Sequence, residues 1–112
     1  MANYITNKEL YNELIFCRDA SITHTDKLIN MFTIISTKYA NGLNFKRNTD
    51  RNDVIQGGII DAFTYWHNWD PSKSSNAFAY ITQIIKNGQL KTLKKIYPSK
   101  VIFVSLTNIH SL

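Results

Sequence analysis

The chain has 112 residues, 44% of them apolar, a formal net charge of +5 and a single cysteine. That length suits one domain with a small core. A helical membrane span is excluded, because no apolar run approaches the roughly 18 residues such a span needs, and the single cysteine excludes an internal disulfide. Met1-Ala2-Asn3-Tyr4 has neither a basic nor an apolar leader pattern, so no signal peptide is expected and the expected compartment is cytoplasmic. The charge is unevenly spread. Residues 1–70 hold seven Lys/Arg and eight Asp/Glu, whereas residues 71–112 hold six lysines and no acid. Such a split favours a polyanionic partner for the C-terminal half.

In chain order, Asn7 is placed to cap a first helix over about 7–18, with Leu10, Leu14 and Ile15 at helical spacing. Cys17 sits among Leu14, Ile15 and Phe16 and reads as a small buried hydrophobe. Thr23 or Thr25 can cap a second helix over about 24–40. Its stripe of Leu28, Met31, Phe32, Ile35 and Tyr39 is core packing, and Asn41-Gly42 is the expected stop. Residues 43–50 form a polar loop holding Phe45, and Lys46, Arg47 and Arg51 make it locally basic. A solvated loop is the plain reading there, and phosphate contact is the alternative.

Asp50 or Asn52 can cap a third helix over about 51–67, in which Val54, Ile55, Gly58, Ile59, Ala62, Tyr65 and Trp66 cover much of the circumference. Gly57-Gly58 weakens a helix interior by about 1 kcal/mol per residue relative to Ala. A sequence keeps such a weakness more readily where another helix must approach closely. Asn68-Trp69-Asp70-Pro71-Ser72 is a turn, because Pro71 bars Asp70 from the α region. A fourth helix starts after Ser74-Ser75-Asn76 and runs to about Tyr97, aromatic at its head and lysine-rich at its tail; Pro98 ends it. Val101-Ile102-Phe103-Val104 has strand composition but no partner strand in a helical domain. The expected architecture is all-α: about four helices over 1–97, and an irregular or extended tail over 98–112.

Catalytic and metal chemistry finds little support. His24, His67 and His110 lack metal-ligand spacing, and one cysteine makes no zinc site. Neither a GxxxxGK[ST] phosphate loop nor a GxSxG elbow occurs. Asp53 and Asp61 lie about 12 Å apart along one helix, too far to share a proton. No enzyme activity and no cofactor are expected. Aromatic residues interleaved with lysines suit unpaired bases and phosphates.

Three short motifs in order carry a resemblance: Asp53-Val54-Ile55-Gln56-Gly57-Gly58, Trp69-Asp70-Pro71 and Ala77-Phe78-Ala79-Tyr80-Ile81. Together they resemble conserved region 2 of bacterial sigma factors, where the usual wording is DLIQEG, FDP and FSTYA. With Asn3-Tyr4-Ile5-Thr6-Asn7-Lys8-Glu9-Leu10 and Ala79-Tyr80-Ile81-Thr82-Gln83, the chain is more closely similar to the late-transcription sigma factors of T4-like bacteriophages, over about residues 3–97. The resemblance implies two surfaces. The third helix would grip the β′ coiled coil of core RNA polymerase through Asn52, Asp53, Gln56, Gly57, Ile59 and Phe63. Here Gly57 stands where an acid is usual and Ile59 where Asn is usual. The fourth helix would bind the −10 promoter element through Tyr80, Gln83, Ile84, Lys86, Asn87 and Lys91, with Gln83 and Ile84 replacing a tryptophan pair. Lys94 and Lys95 would join Lys86 and Lys91 in neutralising phosphates. Beyond Pro98 nothing resembles the helix-turn-helix that reads the −35 element. The phage late factors rely instead on a sliding clamp and a co-activator, which are therefore further implied partners. The alternative is a polymerase-binding module, an anti-sigma factor or inhibitor, that mimics region 2 through the third helix alone. A generic single-strand binder would need the lysines without Asp53 and Gln56.

Overall fold

The computed structural model describes residues 5–98. Its helices are α1 (Asn7–Asp19), α2 (Asp26–Ala40), α3 (Asn48–Tyr65) and α4 (Ala77–Ile96), with one 3₁₀ turn at Trp66–Asn68, and no strand occurs among the described residues. The all-α expectation of about four helices holds. The strand composition at 101–104 and the rest of the expected tail beyond Pro98 lie outside the described residues.

The helix starts differ from expectation in two places. Thr6, not Asn7, caps α1, and it does so as a capping box. The Glu9 amide donates to Thr6 Oγ1 (3.2 Å), and the Thr6 amide donates to Glu9 Oε1 (3.3 Å). These bonds favour the ionised form and hold the Glu9 carboxyl below its ordinary value. Asn7 is thereby released to serve another helix. Its Oδ1 accepts from the Phe78 amide (2.9 Å) and its Nδ2 donates to the Ser75 carbonyl (3.2 Å), so it ties the start of α1 to the start of α4 beside the proper cap, Asn76. The second correction concerns α3, which begins at Asn48, so neither Asp50 nor Asn52 is its cap. Asp50 lies inside the first turn, buried, where it accepts from the Tyr97 hydroxyl and pairs with Arg47 (3.6 Å). That pull from the end of α4, together with Leu43 and Phe45 packed on Val54 and Leu93, draws the preceding loop inward. Thr25 is the α2 cap, through the Leu28 amide (3.0 Å). Gly42 follows α2 without a left-handed φ. The helix stops by tight turns instead, the Gly42 amide donating to Tyr39 and the Leu43 amide to Ala40.

The main core collects Leu10, Leu14 and Cys17 of α1, Leu28, Phe32 and Ile35 of α2, Ala62 of α3 and Ile81 and Ile85 of α4. Burial pushes the Cys17 thiol up, in keeping with an inert hydrophobe. Trp66 and Trp69 close this core from below and each spends its indole N–H on a backbone carbonyl, of Thr23 (3.2 Å) and Ser74 (3.1 Å). Arg18 donates to the carbonyls of His67 and Trp69. The α3–α4 connection is therefore pinned at its centre. Asp70 completes it by accepting from the Ser72 amide (2.9 Å) and hydroxyl (2.7 Å).

The glycines explain how α3 and α4 come together. A Cβ on Gly88 would stand 2.5 Å from the Gly57 carbonyl oxygen and 2.9 Å from Asp61 Cβ. One on Gly58 would meet Ser36 Oγ at 2.6 Å and Ile85 Cγ2 at 2.9 Å, and one on Gly57 would overlap Thr92 Oγ1. Backbone thus packs on backbone. Just beside this contact, Gln89 Nε2 donates to the Ser36 carbonyl (2.8 Å) and Oγ (2.9 Å), while Ser36 Oγ donates to the Ile55 carbonyl (2.8 Å). Three helices share one buried, satisfied polar cluster. Gly88→Ala should lower Tm despite gaining about 1 kcal/mol of helix propensity, because relieving a backbone clash typically costs about 1–3 kcal/mol. Gly42→Ala, whose Cβ would meet nothing nearer than 3.6 Å, should leave Tm unchanged or slightly higher. Thermal unfolding followed by circular dichroism measures both.

Candidate nucleic-acid and protein interfaces

Each of the paired helices turns one face outward. On α3, Asn52, Asp53 and Gln56 are exposed and Ile59 and Phe63 half-buried. Asn52, Gln56, Ile59 and Phe63 follow one another at i, i+4, i+7 and i+11, a single line along a helix. The Phe63 ring sits edge-on to Phe32 (4.7 Å) and to His24 (5.8 Å), which holds it at the α2 border. Gly57 does not belong to this face. It is turned to α4, so the position matched to a polymerase-contacting acid is occupied here by helix packing, and an acid there would collide with Thr92 and the Gly88 carbonyl. Ile60 joins this face although none of the sequence motifs points to it. It is 60% exposed and one turn beyond Gln56. The signal was present in the apolar coverage of α3, since a helix packed on two sides by Val54, Gly58 and Ala62 must turn one of Ile59 and Ile60 outward.

On α4, Tyr80, Ile84, Asn87 and Lys91 form a second i, i+4, i+7, i+11 line. Gln83 lies beside it, exposed, and donates to Asn87 Oδ1 (3.0 Å). Tyr80 and Ile84 are half-buried against the main core, so part of each side chain remains available outside. Lys94 and Lys95 are exposed in the last turn, where they also suit the helix dipole. Two of the six residues matched to promoter contact stand apart from a freely solvated role. Lys91 Nζ is 2.8 Å from Asp61 Oδ2 and 5.7 Å from the Tyr65 ring centre. The Asp61 carboxylate is nearly buried, so Lys91 acts first as its counter-ion across the α3–α4 seam. Lys86 leaves the Tyr80 line altogether and lies over the Tyr39 ring of α2, 4.7 Å from its centre.

Elsewhere, an open depression of about 300 Å³ is lined by Cys17, Arg18, Ser21, Ile22, Thr23, Trp66 and His67. Its Arg18 is already committed to backbone carbonyls and its Cys17 is buried. Among the described residues no three His, Cys, Asp or Glu side chains are grouped to hold a metal ion. No described helix is long and apolar enough to cross a membrane. Comparisons of the chain with protein-family models, curated proteins and solved structures return no match.

The seam carries a pH signature. The Asp61 hydrogen bond raises the Lys91 pKa, and the hydrogen bond to Asp50 raises that of Tyr97. Both groups hold their protons to higher pH when folded than when unfolded. Their stabilisation is therefore complete below the unfolded lysine and tyrosine values, about 10.4 and 10, and is lost as pH rises through the folded ones. Denaturant titrations from about pH 8 to about pH 11 should show falling stability, and Tyr97→Phe together with Asp61→Asn should flatten that fall.

Proposed function

We propose that this domain acts as a sigma factor of the region 2 type, directing RNA polymerase to late viral promoters. In this reading Asn52, Asp53, Gln56, Ile59, Ile60 and Phe63 of α3 meet the β′ coiled coil. Tyr80, Gln83, Ile84 and Asn87 of α4 meet the −10 element, with Lys94 and Lys95 on phosphates. Support comes from the ordered motifs at 53–58, 69–71 and 77–81. The observation that carries it is the close packing of α3 on α4, which leaves Asn52, Asp53, Gln56 and Ile60 exposed on one helix and Gln83 and Asn87 exposed on the other. A protein partner can then occupy one face without covering the other. The exposed Ile60 between polar neighbours suits a protein contact, with an apolar anchor inside a polar rim. Half a tyrosine ring at position 80 suits stacking on an unpaired base, worth about 1–3 kcal/mol.

The polymerase-binding inhibitor remains the second reading, and one observation favours it. Tyr80 and Ile84 pack on the core, so their identity is also explained without DNA. Purified core polymerase pulled down on the full chain, followed by run-off transcription from a template with an AT-rich −10 element, separates the two. The sigma reading expects Asp53→Ala/Gln56→Ala to weaken polymerase capture at least about tenfold, about 1.4 kcal/mol. It expects Tyr80→Ala/Lys94→Ala to retain capture and lose initiation. Capture without any initiation by the unaltered chain, or inhibition of another sigma factor, would establish the inhibitor.

A further inference from the structure

Two lysines of this molecule are held over tyrosine rings along the flank of α4 that faces α2, opposite the flank that carries Tyr80 and Lys91. Lys86 Nζ lies 4.7 Å from the centre of the Tyr39 ring, and Lys46 Nζ lies 6.0 Å from the centre of the Tyr97 ring. Both rings are half-buried, Tyr39 packed on the main core and Tyr97 on the cluster of Val54 and Leu93. Tyr97 is held further by its hydroxyl, which donates to Asp50 and accepts from the Lys46 amide (3.3 Å). Among the described residues neither lysine has a carboxylate partner. The acid in contact with this flank, Asp50, is buried and already engaged by Tyr97 and Arg47. The other flank differs, since there Lys91 is neutralised by Asp61.

We propose that this α2-facing flank is a second nucleic-acid contact, taking an unpaired strand along Tyr39, Lys86, Lys46 and Tyr97. A solvent-accessible lysine over a tyrosine ring is weakly held. When a strand arrives, the ammonium can move to a phosphate while the ring face it leaves receives a base, which is the stacking-and-charge arrangement of single-strand binders. The two lysine–tyrosine pairs are set apart by the eleven residues from Lys86 to Tyr97, about 16 Å along α4. That is the length of about five nucleotides of stacked strand at about 3.4 Å each. Lys46 comes from the loop between α2 and α3, so only folding brings it to this strip.

The inference rests on the reading above solely in taking nucleic acid as a partner, and its test uses no polymerase. Fluorescence anisotropy of the full chain with a labelled single-stranded thymidine 20-mer, from about 50 to about 200 mM salt, is the measurement. Lys46→Gln/Lys86→Gln should weaken binding about tenfold at the lowest salt and reduce the slope of log K against log salt by about 1.4, since each phosphate left without its lysine lowers a single-strand slope by about 0.7. A charge-matched control, Lys8→Gln/Lys27→Gln, should change neither by as much. Circular dichroism verifies that each variant is folded, and Tyr39→Leu, which keeps the charge and removes the ring, should weaken binding without changing the slope. If the Lys46/Lys86 variant behaves as the control does while Tyr80→Ala weakens binding, the strand uses the Tyr80 flank alone and the second contact is overturned, with the sigma reading intact. Failure of the unaltered chain to bind the oligonucleotide also overturns it.

Discussion

Helices α3 and α4 approach until the carbonyl of Gly57 occupies the space where a side chain at 88 would begin. A Cβ at 88 would forbid that approach, and most of what distinguishes this domain follows from it. With the backbones in contact, Asp61 falls within reach of Lys91, Gln89 within reach of Ser36, and Tyr97 within reach of Asp50. The first two bonds join α4 to another helix, and the third ties the residue just after α4 to α3. The helix weakness contributed by three glycines, about 1 kcal/mol each, is offset by a seam that is close-packed at its centre and tied by polar contacts at several levels.

That seam also assigns the outward faces. A helix packed so tightly on one side has little freedom to rotate, so Asn52, Asp53 and Gln56 on α3 and Gln83, Asn87 and Lys94 on α4 are committed to solvent. The turn between the helices adds to this constraint. Trp69 is buried, its indole bonded to Ser74 and its carbonyl held by Arg18, so the connection behaves as an anchor.

The helices themselves were legible in the amino-acid sequence, because their signals are local. Thr25, Asn76 and Pro98 mark ends, and the spacing of Leu28, Phe32 and Ile35 marks a buried stripe. The purpose of Gly57-Gly58 was also legible in kind, as a place of close helix approach. What could not be read was pairing at long range. Asn7 bonds to the start of a helix that begins 70 residues later, Lys46 reaches Tyr97 across 51 residues, and Ser36 meets Gln89 across 53. None of these has a sequence period to announce it. Residues matched by motif alone included Gly57, which is spent on packing, and Lys86 and Lys91, which the fold places on opposite flanks. The sequence does not say which of the adjacent Ile59 and Ile60 faces the core.

The lysine-rich half of the chain therefore divides by geometry. Lys91 belongs to the seam, Lys94 and Lys95 to the open end of α4, and Lys86 to a tyrosine of α2. A domain built this way can offer one face to a protein and others to a nucleic acid at the same time. Amide hydrogen exchange of the full chain, measured with core polymerase alone and with a single-stranded oligonucleotide alone, tests that separation most directly. Two separate interfaces predict slowed exchange over residues 52–63 with polymerase and over residues 80–95 with the oligonucleotide. Polymerase that protects residues 80–95 and leaves 52–63 unchanged would contradict it.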